Sequence, residues 1–339
     1  MLNVGVIGSS GYTGEKLIEI LLGHPEVRIT YVSRKNASAA SIAEIFPKFK
    51  TRIDLVCGPT DVKSAIGKCD LAFLALPHTA SMEIVPELLK AKIRVIDLSA
   101  DYRLKDARSY ELFYGVKHGD KKHIKDAVYG LPELYRNKIK DAQLIANPGC
   151  YPSCAILALA PAIALDLADL GSVIIDAKSG VTGAGKKLNE AMLFSEINED
   201  CKAYKVNVHQ HIPEINQVLS ALASKKANVT FVPHLLPINQ GMLETIYFSK
   251  RNSRKHSGGL IGAYKRFYKN EPFIRIKEKG QFPRIKDVCG TNFCDIGIYE
   301  EGDKAIIIAA IDNLMKGASA SAVQNMNIMY GFSETEALL

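Results

Sequence analysis

Residues 2–32 read LNVGVIGSSGYTGEKLIEILLGHPEVRITYV. A short apolar run at 2–7 meets a glycine-rich turn, an amphipathic stretch follows at 15–22, and a second β-rich run occupies 27–32. Strand, helix and strand within about 30 residues predict a βαβ unit, whose parallel strands require a right-handed crossover. The alternation continues, with a buried strand at 71–76, a helix at 81–90 and another buried strand at 94–98, each near the usual element length. The N-terminal part is therefore read as an α/β, doubly wound sheet.

Working outward, a polar connection rich in Lys and Tyr (101–140) leads to a strand at 143–146 and a helical run from Ser153. Beyond it the pattern changes. Strands at 173–176, 228–233, 242–249 and 305–310 come with fewer helices between them, which predicts an α+β domain built on a mainly antiparallel sheet. A last helix at 317–330 is free to return to the first domain. The expected division is 1–147, completed by 314–339, and 148–313. A chain of 339 residues has room for two such domains at roughly 150 residues each.

Composition narrows the function classes. The longest apolar stretch, 155–165, contains a proline and falls well short of the ~20 residues of a membrane span. The N-terminus lacks a basic region followed by a long apolar one, so no secretory signal is read and the expected location is cytoplasmic. Seven cysteines, an odd number without a C-x-x-C pair, argue against a disulfide framework and a zinc ribbon. The net charge of +7 is concentrated in 250–286, which holds twelve Lys/Arg and two acids. No nucleic-acid motif accompanies it, so the segment reads as a solvated face, or as a positive field that suits anionic small molecules.

Gly8, Ser9, Ser10, Gly11, Tyr12, Thr13 and Gly14 lie between the first strand and the first helix. That is where a dinucleotide pyrophosphate meets backbone N–H groups and the positive end of a helix dipole. After the second strand comes Ser33-Arg34-Lys35, two cations where an NAD-binding chain usually carries an acid about 20 residues on from the turn. A 2′-phosphate would be attracted there, so the expected cofactor is NADP(H). A second glycine loop at 179–187 imitates a P-loop. Lys187 stands where that motif needs Ser or Thr for magnesium, so triphosphate hydrolysis is rejected and the loop is read as a site of close approach.

Cys150 follows Pro148-Gly149 and precedes the helical run, so its sulfur is expected at a helix N-terminus, where the dipole favours thiolate. Cys154 falls on the apolar face of that helix and reads as core, and Cys57, Cys69, Cys201, Cys289 and Cys294 as buried small hydrophobes. A base for the thiol is sought at His209-Gln210-His211, either imidazole serving. Glu214, three residues beyond His211, would orient or charge-balance it. No ligand set completes a metal site.

The segments 8–14, 97–104, 147–152, 178–185 and 209–215, with Leu76-Pro77-His78, Gly290-Thr291-Asn292, Asp312-Asn313-Leu314 and Gln324-Asn325-Met326-Asn327, resemble N-acetyl-γ-glutamyl-phosphate reductases, relatives of aspartate-semialdehyde dehydrogenase. The resemblance covers nearly the full length. It implies a Rossmann-like NADP-binding domain, a catalytic and oligomerisation domain, and a homodimer or homotetramer. It also implies NADPH-dependent reduction of N-acetyl-γ-glutamyl phosphate in arginine biosynthesis, through a thioester on Cys150, with His211 as acid/base. Ser179, Gly180 and Asn313 are implied at the nicotinamide, and Arg103, Asn147 and Lys178 on the substrate side. The family's usual H-R-H reads His209-Gln210-His211 here, and its G-A-A-G-Q-A tail reads Gly317-Ala318-Ser319-Ala320-Ser321-Ala322. Two other readings compete: reduction of a carrier-linked aminoadipyl phosphate in lysine biosynthesis, and a non-catalytic NADP-sensing module. Neither nucleic acid nor membrane is an expected partner.

Overall fold

The computed structural model describes residues 1–34, 38–251 and 258–339. Lys35 and residues 252–257 of the basic segment lie outside them. Two compact units are present, Met1–Pro148 with Ala318–Leu339, and Gly149–Gly317.

The first unit begins β1 (Leu2–Ile7), α1 (Tyr12–Leu21) and β2 (Val27–Ser33). A small antiparallel pair, β3 (Ala40–Ser41) and β4 (Val56–Cys57), brackets α2 (Ile42–Ile45). Then come α3 (Val62–Ile66), β5 (Leu71–Leu74), α4 (Ser81–Lys90) and β6 (Arg94–Asp97). The run ends with α5 (Ala107–Tyr114), α6 (Lys121–Ile124), β7 (Val128–Tyr129), α7 (Pro132–Lys140) and β8 (Leu144–Ala146). Six strands form one parallel sheet in the order β2-β1-β5-β6-β8-β7. β5 is buried at every position, as strands covered on both faces must be. The order reverses at β1, and the glycine turn leaves the C-terminal end of that strand, the usual crevice for a dinucleotide.

The segment 101–140 is not a bare connection, because its polar residues are used inside the fold. Asp101 accepts the N–H groups of Thr79 (2.7 Å) and Ser81 (3.0 Å) at the start of α4, and the Tyr110 hydroxyl at 2.8 Å. Tyr102 and Tyr110 are wholly buried. Composition alone cannot distinguish such buried, satisfied polar groups from a solvated loop.

The second unit begins with α8 (Cys150–Ala164), β9 (Ile174–Ser179), α9 (Phe194–Ile197), β10 (Lys202–Ala203) and α10 (Ile212–Ala223). β11 (Thr230–Leu235), β12 (Met242–Ser249), α11 (Gly259–Phe267), β13 (Ile274–Ile276), α12 (Ile285–Val288), β14 (Cys294–Glu301) and β15 (Lys304–Ile311) follow. The sheet order is β10-β11-β9-β12-β15-β14-β13; the pairings β11/β9 and β13/β14 are parallel and the other four antiparallel. A π-turn, Met315–Ser319, then leads to α13 (Ala320–Tyr330), which belongs to the first unit. There Arg94 Nη1 donates to Met329 O (2.7 Å) and Asn325 Nδ2 to Gly130 O (2.9 Å). The Glu26 N–H occupies His24 Nδ1, so His24 Nε2 donates to Asn327 Oδ1 at 3.0 Å.

α8 is buried from Tyr151 to Ile163, the signature of a core helix. Among the described residues no helix is long and apolar enough to cross a membrane. Pro161 has no N–H for the Leu157 carbonyl, and the Tyr268 hydroxyl replaces it at 2.7 Å, with Tyr264 serving Ala158 O at 2.7 Å. Tyr268→Phe strands a buried acceptor and should cost about 1–3 kcal/mol, read as a lower unfolding midpoint, whereas half-exposed Tyr299→Phe should cost almost nothing. Equal midpoints in the two variants would refute this account of the proline.

Candidate active site

In the first unit, Gly8 has φ +89° and its Cβ would stand 2.3 Å from Ala75 O, while a Cβ on Gly14 would stand 2.5 Å from Gly8 O. Packing therefore demands both glycines. A Cβ on Gly11 would meet nothing nearer than 3.9 Å. Gly11 is the N-cap of α1, without a side-chain cap, which is why the helix begins at Tyr12, before the expected 15. Ser10, Tyr12 and Thr13 lie half-buried along this turn. Ser33 differs from expectation: it is wholly buried, its carbonyl accepts Gly8 N, Ser9 N and Ser9 Oγ, and its hydroxyl meets Thr60 Oγ1 at 3.0 Å. It braces the turn. Arg34 donates from Nη2 to Ser38 O (2.6 Å), and its Nε is buried without a hydrogen-bond partner. An open helix N-terminus, a close backbone turn and an unsatisfied guanidinium donor form a set that fits a dinucleotide bearing a 2′-phosphate.

In the second unit, Cys150 occupies the first position of α8, after the extended N-cap Gly149 (φ −69°, ψ 156°). The helix starts ahead of the expected Ser153 because first-turn N–H groups have no intrahelical acceptor, so Pro152 costs nothing there. Both neighbours of the sulfur-bearing residue are tied to one turn. Gly149 N–H donates to Glu214 Oε1 at 2.9 Å, and the Tyr151 ring meets those of His209 and His211 at 5.6 and 5.9 Å. His211 is the N-cap of α10 and Glu214 lies in its first turn. Thiol and imidazoles, about 60 residues apart in sequence, are thereby gathered in one place.

The two histidines have different environments. The His211 N–H donates to His209 Nδ1 at 3.1 Å, which assigns the His209 proton to Nε2. Rings of Tyr151, Tyr204, Phe231 and His211 enclose His209. Burial, aided by the charge of Lys205, lowers its pKa to about 4, so it is neutral near pH 7. Glu214, expected to orient the His211 imidazole, commits Oε1 to the main chain before Cys150. Gln210 accepts from Lys205 Nζ at 3.2 Å, so a cation stands against the amide.

Other expected site residues are placed differently. Asn313 accepts Gly241 N (2.6 Å) and donates to Thr182 Oγ1 (3.0 Å), and Gly180 passes so close to Asn239 that a Cβ would stand 2.8 Å from its carbonyl. With Ser179 and Asn313 both 2% exposed, the pair shapes the loop 179–185. Lys178 takes another face. Phe231, against which Tyr151 packs, is in register with Ile175, and strand alternation sends Lys178 to the opposite face, where it pairs with Asp176 at 2.6 Å. Arg103 donates to Asn147 O (2.7 Å) and Leu98 O (2.6 Å). Asn147 itself donates to Ala318 O (3.1 Å) and accepts from Asn325 (3.0 Å). Both hold main chain together. Cys154 and Cys294 are buried as expected, but Cys201 is exposed and Cys289 only half-buried.

Sequence reasoning passed over Tyr151, Tyr204 and the steric role of Gly317. A Cβ on Gly317 would lie 2.8 Å from Cys150 Cβ. Asp312 folds this stretch against Cys150, taking Leu314 N (2.8 Å) and Met315 N (3.2 Å) on Oδ1 and Gly317 N on its carbonyl (3.0 Å). Among the described residues no cluster of His, Cys, Asp and Glu is placed to hold a metal ion.

Comparison with known proteins agrees with the two-part fold. Residues 3–142 match the model of the semialdehyde dehydrogenase NAD binding domain, and residues 150–313 that of the semialdehyde dehydrogenase dimerisation domain, which sets the class. Aspartate semialdehyde dehydrogenase II of Vibrio cholerae, complexed with ASA, superposes with TM-score 0.72 at 16% identity, over 98% of each chain. The enzyme of Candida albicans, with NADP, gives 0.72 at 14%, over 97% and 98%. N-acetyl-gamma-glutamyl-phosphate reductases of Geotalea daltonii and Acetivibrio thermocellus are 47% and 44% identical, over all of this chain and 98% of theirs. The chain belongs to that reductase family.

Gly317→Ala should lower kcat at least about tenfold, since displacing a nucleophile by about 1 Å is enough for a larger loss, while the chain still folds. Unchanged turnover would show that the approach of Gly317 does not position Cys150.

Proposed function

We propose that the chain reduces N-acetyl-γ-glutamyl phosphate to the 5-semialdehyde, releasing phosphate, with Cys150 as nucleophile. The single observation that carries this is the thiol at the first position of α8, its two neighbours bound to the histidine turn of α10. The names of the relatives favour this substrate over the carrier-linked and sensing readings. NADPH, held at residues 8–14 with Arg34 on its 2′-phosphate, supplies the hydride when bound. Cys150 Sγ bonds to the acyl carbon as the bond to phosphate oxygen breaks, giving a thioester; after reduction the C–S bond breaks and the aldehyde leaves. Backbone N–H groups at the start of α8 face the oxyanion, and His211 moves the proton. His209, neutral and fixed by the His211 N–H, is a strut. With Lys178 facing away, Lys205 on Gln210 is the cation offered to the substrate. A nucleophilic thiol, in a chain whose cysteines form no disulfide, suits a reducing cytoplasm. Cys150→Ser should lose at least about a thousandfold in NADPH oxidation with this acyl phosphate, and wild type without cofactor should show an acyl adduct on Cys150 by mass spectrometry. Near-normal turnover of Cys150→Ser would end the covalent reading.

We further propose a homodimer formed through the open face of the second sheet. One register row there, Ile174, Tyr247, Ile306 and Tyr299, crosses β9, β12, β15 and β14, and Ile174, Tyr247 and Tyr299 are 44, 40 and 44% exposed. An apolar stripe of this kind marks an interaction surface, and the family model names this region for dimerisation. In sedimentation, wild type should run as a dimer and Tyr247→Glu as a monomer; a dimer in both excludes this face.

A further inference from the structure

β12 turns Met242, Glu244, Ile246 and Phe248 to the buried face of its sheet, and Glu244 is 0% exposed. Neither of its carboxyl oxygens has a hydrogen-bond partner. Its register neighbours are Ala177 and Ala309, and the space those small residues leave lies under α8, which packs on β12 and β15. The charge of Glu244 reaches Tyr151 and Cys154, which also feel Cys150. A packed methionine would serve the core better, because an unsatisfied buried carboxyl costs free energy that no bond here returns. Destabilising groups of this kind persist where function needs them.

We propose that Glu244 is a positioning residue for the nucleophile, a carboxylic acid beneath α8 that must keep its proton for Cys150 to work. This rests on the reductase reading. The groups coupled to Glu244 are Tyr151 and Cys154 from α8, both of which also feel Cys150, Cys294 from β14 by way of Cys154, and Lys178 from β9. Burial drives the Glu244 carboxyl well above the usual range, Lys178 offsetting this in part. As a neutral acid it leaves the thiolate undisturbed. Once ionised, it adds a second negative charge to the field that Tyr151 and Cys154 already share with Cys150, disfavouring the thiolate and the oxyanion of the tetrahedral adducts. A raised carboxyl pKa gives stability that is complete below the unfolded value and lost as pH climbs through the folded one.

Two measurements test this. In kcat against pH, Glu244→Gln should move the alkaline limb upward by about one unit or more and leave the acid limb in place. In thermal melts, Glu244→Met should melt above wild type, and the midpoint loss from neutral to alkaline pH should be non-additive across wild type, Cys150→Ser, Glu244→Gln and the double variant. An unmoved alkaline limb, a lower midpoint in Glu244→Met, or additive losses would each overturn the proposal. Wild type inert toward the acyl phosphate counts against the reductase reading, and the melts judge Glu244 independently.

Discussion

One hydrogen bond organises the second unit: the main-chain N–H before Cys150 donating to the buried carboxylate of Glu214. A helix start is an electropositive point with N–H groups lacking partners, and a carboxylate drawn from another helix is a strong way to hold it. Because Glu214 follows His211 by three residues on α10, anchoring one anchors the other. Tyr151 closes the arrangement from the other side, its ring against both imidazoles. The chemistry needs thiol and base within reach, and the fold meets this by clamping the two helix starts together and leaving little to side-chain chance.

The first unit is governed by economy of backbone space. Gly8 and Gly14 are dictated by carbonyls that would collide with any Cβ, whereas Gly11 faces open room and caps a helix. The same three letters in sequence therefore serve two purposes, packing and access, and only coordinates separate them. Arg94 illustrates how the last helix is recruited: Nε and Nη2 donate to Ala142 O and Lys140 O, while Nη1 donates to Met329 O.

Much was legible beforehand, and for identifiable reasons. β1, β12 and α4 were read with their observed bounds because a strand covered on both faces, an alternating strand and an amphipathic helix each carry their own pattern. The family resemblance, the doubly wound sheet and the mainly antiparallel second sheet were likewise evident. The face that Lys178 takes was not legible, because it depends on register with β11 and β12, which no local pattern records. The burial of Ser33 was not legible because burial at a strand end depends on what the glycine turn does with its carbonyl. Glu214 was read as a partner of His211, whereas the hydrogen bond it makes to Gly149 N lies 65 positions away, beyond any spacing argument. Glu244 gave no signal at all, being one acid in an alternating strand.

The joints of the chain carry a consequence of their own. Residues 148 and 318, where the first unit is interrupted, are neighbours, since Asn147 donates to Ala318 O at 3.1 Å; Cys150 and Gly317, near the two ends of the second unit, touch as well. The second unit is thus a cassette spliced into a self-contained nucleotide-type fold at a single seam, an architecture that internal insertion tolerates because the flanking ends already meet. Cys150, the proposed nucleophile, is the second residue of that cassette, so the sulfur enters the chain where the first unit is left.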